Sequence, residues 1–203
     1  MKKRYKISLS CIGLLVVLFL WLLIPCTYAQ IGNFYWMGTV VSQNPAKAAE
    51  WWRKAAEKGH PQAQYNLGSL YILGQGVPQD DSQAFAWFSK AAEHGYMYAQ
   101  NDLANMYATG RGVPQDWDKA DKLYSKAAHQ GVDTAQCLIG LYYANGERYY
   151  PQSNIKAYKW IALSAAQGFP EAIRIKAQFD SHFSKEDIEE GQKLAAIWKP
   201  EKI

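Results

Sequence analysis

Ser153 and Lys156 stand in the spacing Ser-x-x-Lys, close to one helical turn apart. An amine held at that distance could take the hydroxyl proton and make the serine a nucleophile for acyl transfer. The same serine falls where a helix has to start, so a capping role accounts for it equally simply. His60, His94 and His129 lie at or near the ends of Lys-Ala-Ala segments, where an imidazole complements the negative end of a helix dipole; His182 stands alone. Cys137 is separated from Cys11 and Cys26 by more than a hundred residues, and a lone thiol of this kind is read as a small buried residue. No His-Glu-x-x-His, Gly-x-Ser-x-Gly, Gly-x-x-x-x-Gly-Lys or Cys-x-x-Cys occurs. The Gly74-x-Gly76 and Gly110-x-Gly112 pairs lack the third glycine and the preceding strand of a phosphate loop. No cofactor and no metal is expected.

The elements that would hold these residues repeat along the chain. Lys54-Ala-Ala-Glu-Lys-Gly59 recurs as Lys90-Ala-Ala-Glu-His-Gly95 and as Lys126-Ala-Ala-His-Gln-Gly131, at steps of 36 residues, and a looser copy ends at Gly168. Between these marks, Leu67-Gly68 and Tyr71 lead to Gly74-Gln-Gly-Val-Pro-Gln-Asp80. Leu103-Ala104 and Tyr107 lead in the same way to Gly110-Arg-Gly-Val-Pro-Gln-Asp116. The third copy keeps Ile139-Gly140, Tyr143 and Gly146, but Arg148 replaces the second glycine and one residue is inserted before Pro151.

Each unit reads as two helices. Ala63, Leu67, Gly68 and Tyr71 share one face of the first, and Gly68, Ala104 and Gly140 mark where a partner helix comes close. The Gly-x-Gly-Val-Pro segment is the turn, and Asn44, Asp80, Asp116 and Ser153 fall at the N-cap of the second helix. That helix packs through Ala48, Trp51, Trp52 and Ala55 in the first copy, and through Ala157, Trp160, Ile161 and Ser164 in the last. Gly59, Gly95, Gly131 and Gly168 are expected to close the second helices in the left-handed conformation.

This pattern resembles the Sel-one-like repeat family, relatives of the tetratricopeptide repeats. The likeness runs from about Asn44 to Gly168: a half-repeat at 44–59 and repeats at 60–95, 96–131 and 132–168. It implies an all-α fold, an α/α right-handed superhelical solenoid of helix-turn-helix units. Solenoids need atypical ends, so residues 169–199 are expected to form capping helices that bury Ile188, Leu194, Ile197 and Trp198. Residues 30–43 are expected to cover the other end. The resemblance also implies a concave groove lined by the first helices. Its positions here are Gln62, Tyr65, Ser69 and Ile72, then Tyr98, Asn101, Asn105 and Ala108, then Thr134, Cys137, Leu141 and Ala144. The function implied is non-enzymatic: a protein-interaction scaffold or adaptor in a bacterial cell envelope, with partner proteins and no nucleic acid. The alternative is an envelope enzyme acting on cell-wall or β-lactam substrates through Ser153 and Lys156. Cysteine-rich members of the family, which are associated with β-lactams, carry a Cys pair in each repeat, and this chain has none.

The first 29 residues read as an address. Lys2, Lys3, Arg4 and Lys6 precede an apolar stretch from Cys11 to Ile24, Pro25 breaks it, and Thr27-Tyr28-Ala29 offers a cleavage point after Ala29. Such a signal predicts a periplasmic or secreted protein. An uncleaved inner-membrane anchor over Ile7–Ile24 is the alternative, and Pro25 before Cys26 argues against a lipoprotein. The chain carries 22 basic and 18 acidic residues, with a pI near 8.8. Removal of the four basic residues of the leader leaves 18 of each sign, so the positive charge belongs to the leader and gives no footprint for nucleic acid.

Overall fold

A computed structural model describes residues 27–201. The expected leader, apart from its last three residues, lies outside the described residues. Those residues are helical throughout and contain no strand. They divide into two compact units at Ala91/Ala92, within the fourth helix.

The first unit holds α1 (27–37), α2 (Pro45–Glu57), α3 (Pro61–Leu73) and most of α4 (Asp81–Glu93). The sequence gives no repeat signal before residue 44, yet α1 pairs with α2 as the first helix of a whole hairpin. Asn33 Oδ1 accepts from Trp52 Nε1 at 3.0 Å, the Trp36 and Trp52 rings lie 5.7 Å apart, and Tyr28 lies 5.6 Å from Trp51. Ala29 is buried within α1, so the expected cleavage point lies inside a packed helix. Gly68 earns its place by proximity: a Cβ there would stand 2.7 Å from the Phe88 ring.

The second unit holds α5 (Met97–Thr109), α6 (Trp117–Gln130), α7 (Asp133–Asn145), α8 (Asn154–Ala166), α9 (Pro170–His182) and α10 (Lys185–Ala196). Ala120, Tyr124, Ala127, Ile139, Tyr142 and Trp160 form its main core, and Cys137, Ile161, Ala172 and Ile175 form a second cluster. Gly191 of α10 lies against Tyr158 and the Ile155 carbonyl, and Trp198 meets Trp160 edge-on at 6.2 Å. Ile188 and Leu194 are half-buried, but Ile197, expected in the core, is 75% exposed because α10 ends at Ala196 and Ile197 is its C-cap.

The expected caps form. Asn44, Asp80, Asp116 and Ser153 each accept from the backbone N–H three residues on, at 3.0, 3.0, 3.0 and 3.3 Å. The four glycines that follow the second helices all have positive φ. His60 differs from expectation. Instead of closing α2 it opens α3, with Nδ1 accepting from Ala63 N–H at 3.2 Å. Pro61 follows it at the first helical position, where a missing N–H costs nothing.

A glutamine recurs with the same 36-residue step. Gln64, Gln100 and Gln136, spaced by 36, are buried. Each donates from Nε2 to a carbonyl eight residues back, Ala56, Ala92 and Ala128, at 3.0, 3.4 and 3.1 Å. These carbonyls lie in the last turn of the second helix, where each also accepts from the glycine N–H three residues on. The glutamine therefore ties each first helix to the end of the second helix before it.

Candidate functional site

The first helices carry the expected partner-binding residues, and the two units are best taken separately. In the first unit Tyr65 packs beside Phe88, ring centroids 5.5 Å apart. Ser69 donates from Oγ to the Tyr65 carbonyl at 3.1 Å, and Ile72 is half-buried. Ser69 also borders a cavity of about 100 Å³ with Trp36, Trp52, Asn66, Leu70 and Leu73, which has room for little beyond a few waters.

In the second unit α5 and α7 bring the expected residues together. Thr134 donates from Oγ1 to Asn101 Oδ1 at 3.2 Å, a bond between equivalent helices of successive repeats. Asn101 in turn donates from Nδ2 to Asp102 at 3.2 Å. Tyr98 is 46% exposed, and Asn105 and Thr134 are exposed. Tyr98 stands edge-on to Tyr96 at 5.7 Å, so its ring is held rather than loose. The strip thus offers amide, hydroxyl and phenol groups on rigid helical backbone, a surface suited to the main chain and side chains of a bound segment.

Three of the expected strip positions turn inward. Cys137 is buried with Ile161, Ala172 and Ile175, so it is a core residue and cannot touch a partner in this conformation. Burial pushes its thiol up to about 11, with Glu171 and Asp133 adding to the effect. Leu141 packs on the same cluster and is half-buried. Ala108 is buried in the main core. For Cys137 and Leu141 the reason is that Ala172 and Ile175 of α9 pack on this part of α7.

The Ser153–Lys156 pair is not assembled as a nucleophile and base. Ser153 Oγ accepts from the backbone N–H of Lys156, and the Lys156 ammonium lies 5.1 Å from the Tyr143 ring centroid. His129 donates from Nδ1 to the Ser125 carbonyl at 2.8 Å, which requires the Nδ1–H tautomer, and stands edge-on to Trp160 at 5.0 Å. Among the described residues no group of three or more His, Cys, Asp or Glu side chains is placed to hold a metal ion. None of the described helices is long and apolar enough to cross a membrane.

A family model described as Sel1 repeat matches residues 28–60, 61–96, 98–132 and 133–169. Its first match covers α1 and α2 together, which agrees with the complete first hairpin. Among solved structures, a Sel1 repeat protein from Oxalobacter formigenes is 32% identical, with a TM-score of 0.71 over 85% of this chain and 72% of that one. The protein c5321, a protective antigen present in uropathogenic Escherichia coli strains and displaying an SLR fold, is also 32% identical with a TM-score of 0.71. There the match covers 85% of this chain but only 38% of the other. A comparison with curated proteins found no match.

Proposed function

Because this chain belongs to the Sel1 repeat family, whose members generally mediate protein–protein interaction, we propose that it is a non-enzymatic scaffold or adaptor of a bacterial cell envelope. Partner segments dock on the first-helix strip of the second unit. The observation that carries this reading is the α5–α7 seam, where the Thr134–Asn101 bond fixes two adjacent helices and leaves Tyr98 and Asn105 presented beside it. Fixed polar groups beside an aromatic anchor lose little conformational entropy when a segment binds. Tyr65, Ser69 and Ile72 supply the corresponding strip of the first unit. The basic and apolar leader supports export, and the chain acts in the periplasm or beyond it.

The test is affinity capture from envelope extracts with the wild-type chain and with Asn101→Ala/Asn105→Ala. Loss of specific partners from the double variant, with its helix content intact, supports the strip. Equal recovery of the same partners by both proteins would place the binding surface elsewhere.

A further inference from the structure

α1 keeps the geometry of the later first helices. A Cβ on Gly32 would run into the Trp52 ring, as one on Gly68 would meet Phe88 and one on Gly140 would meet Ile161. Gly38 has φ 69° and lies against Gln43, as Gly74, with φ 65°, lies against Gln79. The Asn44 N–H donates to the Tyr35 carbonyl at 2.8 Å, as Asp80 does to Tyr71 at 3.0 Å and Asp116 to Tyr107 at 2.9 Å. The opening turn of α1 belongs to this arrangement: Ala29 is 7% exposed, and the Tyr28 ring lies 5.6 Å from that of Trp51.

Cleavage after Ala29 would take Thr27, Tyr28 and Ala29 out of the hairpin. Trp51 would lose the ring beside it, and a new cationic α-amino group on Gln30 would stand at the positive end of the helix dipole. The bond is also badly placed for a peptidase, which needs an exposed and unfastened segment, because Ala29 is buried in helix. Between Ile24 and Gln30, only Thr27 and Ala29 pair small residues at the spacing such an enzyme reads. Residues 7–24 are 18 in number and carry no charge, which falls within the roughly 17–25 residues that a membrane-spanning helix needs.

We propose that the leader is retained, and that residues 7–24 hold the repeat array on the outer face of the inner membrane. This retention presupposes the export read above and narrows where export ends. Lys2, Lys3, Arg4 and Lys6 stay on the cytoplasmic side, and no charged residue follows them until Lys47. Only residues 25 and 26 separate the apolar segment from α1, a reach of roughly 11 Å from Ile24 to Thr27 when fully extended. The first hairpin is therefore held at the membrane surface. It carries Tyr28 and Trp51 near that end, with the Lys54 ammonium 4.1 Å from the Trp51 ring centroid. Aromatic rings beside a lysine suit the boundary between lipid and water.

The test uses the full chain, expressed in a Gram-negative host, separated into periplasmic fluid and carbonate-washed membranes and measured by intact mass. A chain that begins at Met1 and leaves the washed membranes only with detergent is expected. Protease added to spheroplasts should digest the array, and protease added to whole cells should not. Thr27→Glu removes a small residue that the peptidase requires, at an exposed position where the helix dipole favours an acid. This variant should fractionate as the wild type does. Wild-type chain beginning at Gln30 in the periplasmic fluid, with Thr27→Glu held in the membrane, would overturn the proposal and leave export standing. A mass carrying a lipid on Cys26 would overturn it as well, since acyl chains would then be the anchor. A full-length chain whose array resists protease in spheroplasts would instead overturn export, and with it the placement on the outer face.

Discussion

Gln167 donates from Nε2 to Gln136 Oε1 at 2.9 Å, while Gln136 donates onward to the Ala128 carbonyl at 3.1 Å. Gln130 repeats the arrangement one unit earlier, donating to Gln100 Oε1 at 2.7 Å, and Gln100 donates to Ala92. The ends of α6 and α8 are thus each wired through one buried amide to the end of the second helix before them. Gln136 is fully buried, so Gln136→Leu removes both its bond to the Ala128 carbonyl, which keeps the Gly131 N–H, and its bond from Gln167, and should cost about 1 kcal/mol. Gln167 is exposed, water can replace it, and Gln167→Ala should cost well under half as much. Urea unfolding of both variants checks this; equal costs would mean that the chain of amides is not what the fold depends on.

What the sequence shows clearly is what repeats with a stereochemical demand. Asp80 and Asp116 precede helices in register, and Gly68 and Gly140 leave space that Phe88 and Ile161 fill, so caps and contacts could be read together. Residues whose role depends on a neighbouring unit were harder to read. Cys137 occupies the strip position of Asn101, but Ala172 and Ile175 cover it, and nothing within its own repeat shows that. The helix at 27–37 was hidden because its aromatic residues follow directly on an apolar leader. His60 is ambiguous in the sequence because only three residues, Lys58 to His60, separate the end of α2 from the start of α3. Asp121 was visible in principle: reading down the repeat from Ala49 and Phe85 to Tyr158 exposes a charge in an apolar column.

The His60 cap makes the first unit sensitive to mild acid. Burial lowers the imidazole pKa below its ordinary 6.5, and only the neutral ring leaves Nδ1 able to accept from Ala63 N–H. The folded chain therefore binds this proton less readily than the unfolded chain. The stabilisation is complete above pH 6.5 and is lost as pH falls through the folded pKa. His60→Asn should keep the cap and remove this component, whereas His60→Ala should cost about 1 kcal/mol at pH 8. Thermal unfolding from pH 8 to pH 5 distinguishes them, and a pH slope unchanged in His60→Asn would refute the assignment.

Cys137 should be chemically quiet. With the thiol near 11, only roughly a thousandth is thiolate at pH 8, and the packing of Ile161, Ala172 and Ile175 restricts access further. Labelling by a thiol reagent should be slow in the native chain and should reach one equivalent at this residue on adding denaturant. Fast native labelling would show that α9 opens readily from α7.

Ser153→Ala separates a cap from a nucleophile. Loss of the Ser153–Lys156 backbone bond should cost about 1 kcal/mol in stability, and Ser153→Asp should restore it. A serine β-lactam or cell-wall hydrolase would instead lose all turnover in both variants. Stability that follows the cap and no acyl-enzyme detectable by mass spectrometry with penicillin is the expected pair of results.

Asp121 should give an opposite pH signature to that of His60. Burial raises its carboxyl pKa above the ordinary 3.8; Arg148 pulls it down and Asp118 pushes it up again. The folded chain therefore holds this proton more tightly than the unfolded chain does, and the contribution to stability is present below pH 3.8 and lost as pH rises through the folded pKa. Asp121→Asn has no proton to lose, so the variant should overtake the wild type as pH rises and be about 1 kcal/mol more stable at pH 7. Arg148→Ala removes the compensating cation and should deepen the loss in the wild-type background while leaving Asp121→Asn nearly unaffected. Melting temperatures of the four proteins between pH 3 and pH 8 close this double-mutant cycle. A difference between wild type and Asp121→Asn that stays constant across that range would show that the carboxylate reaches solvent or a donor.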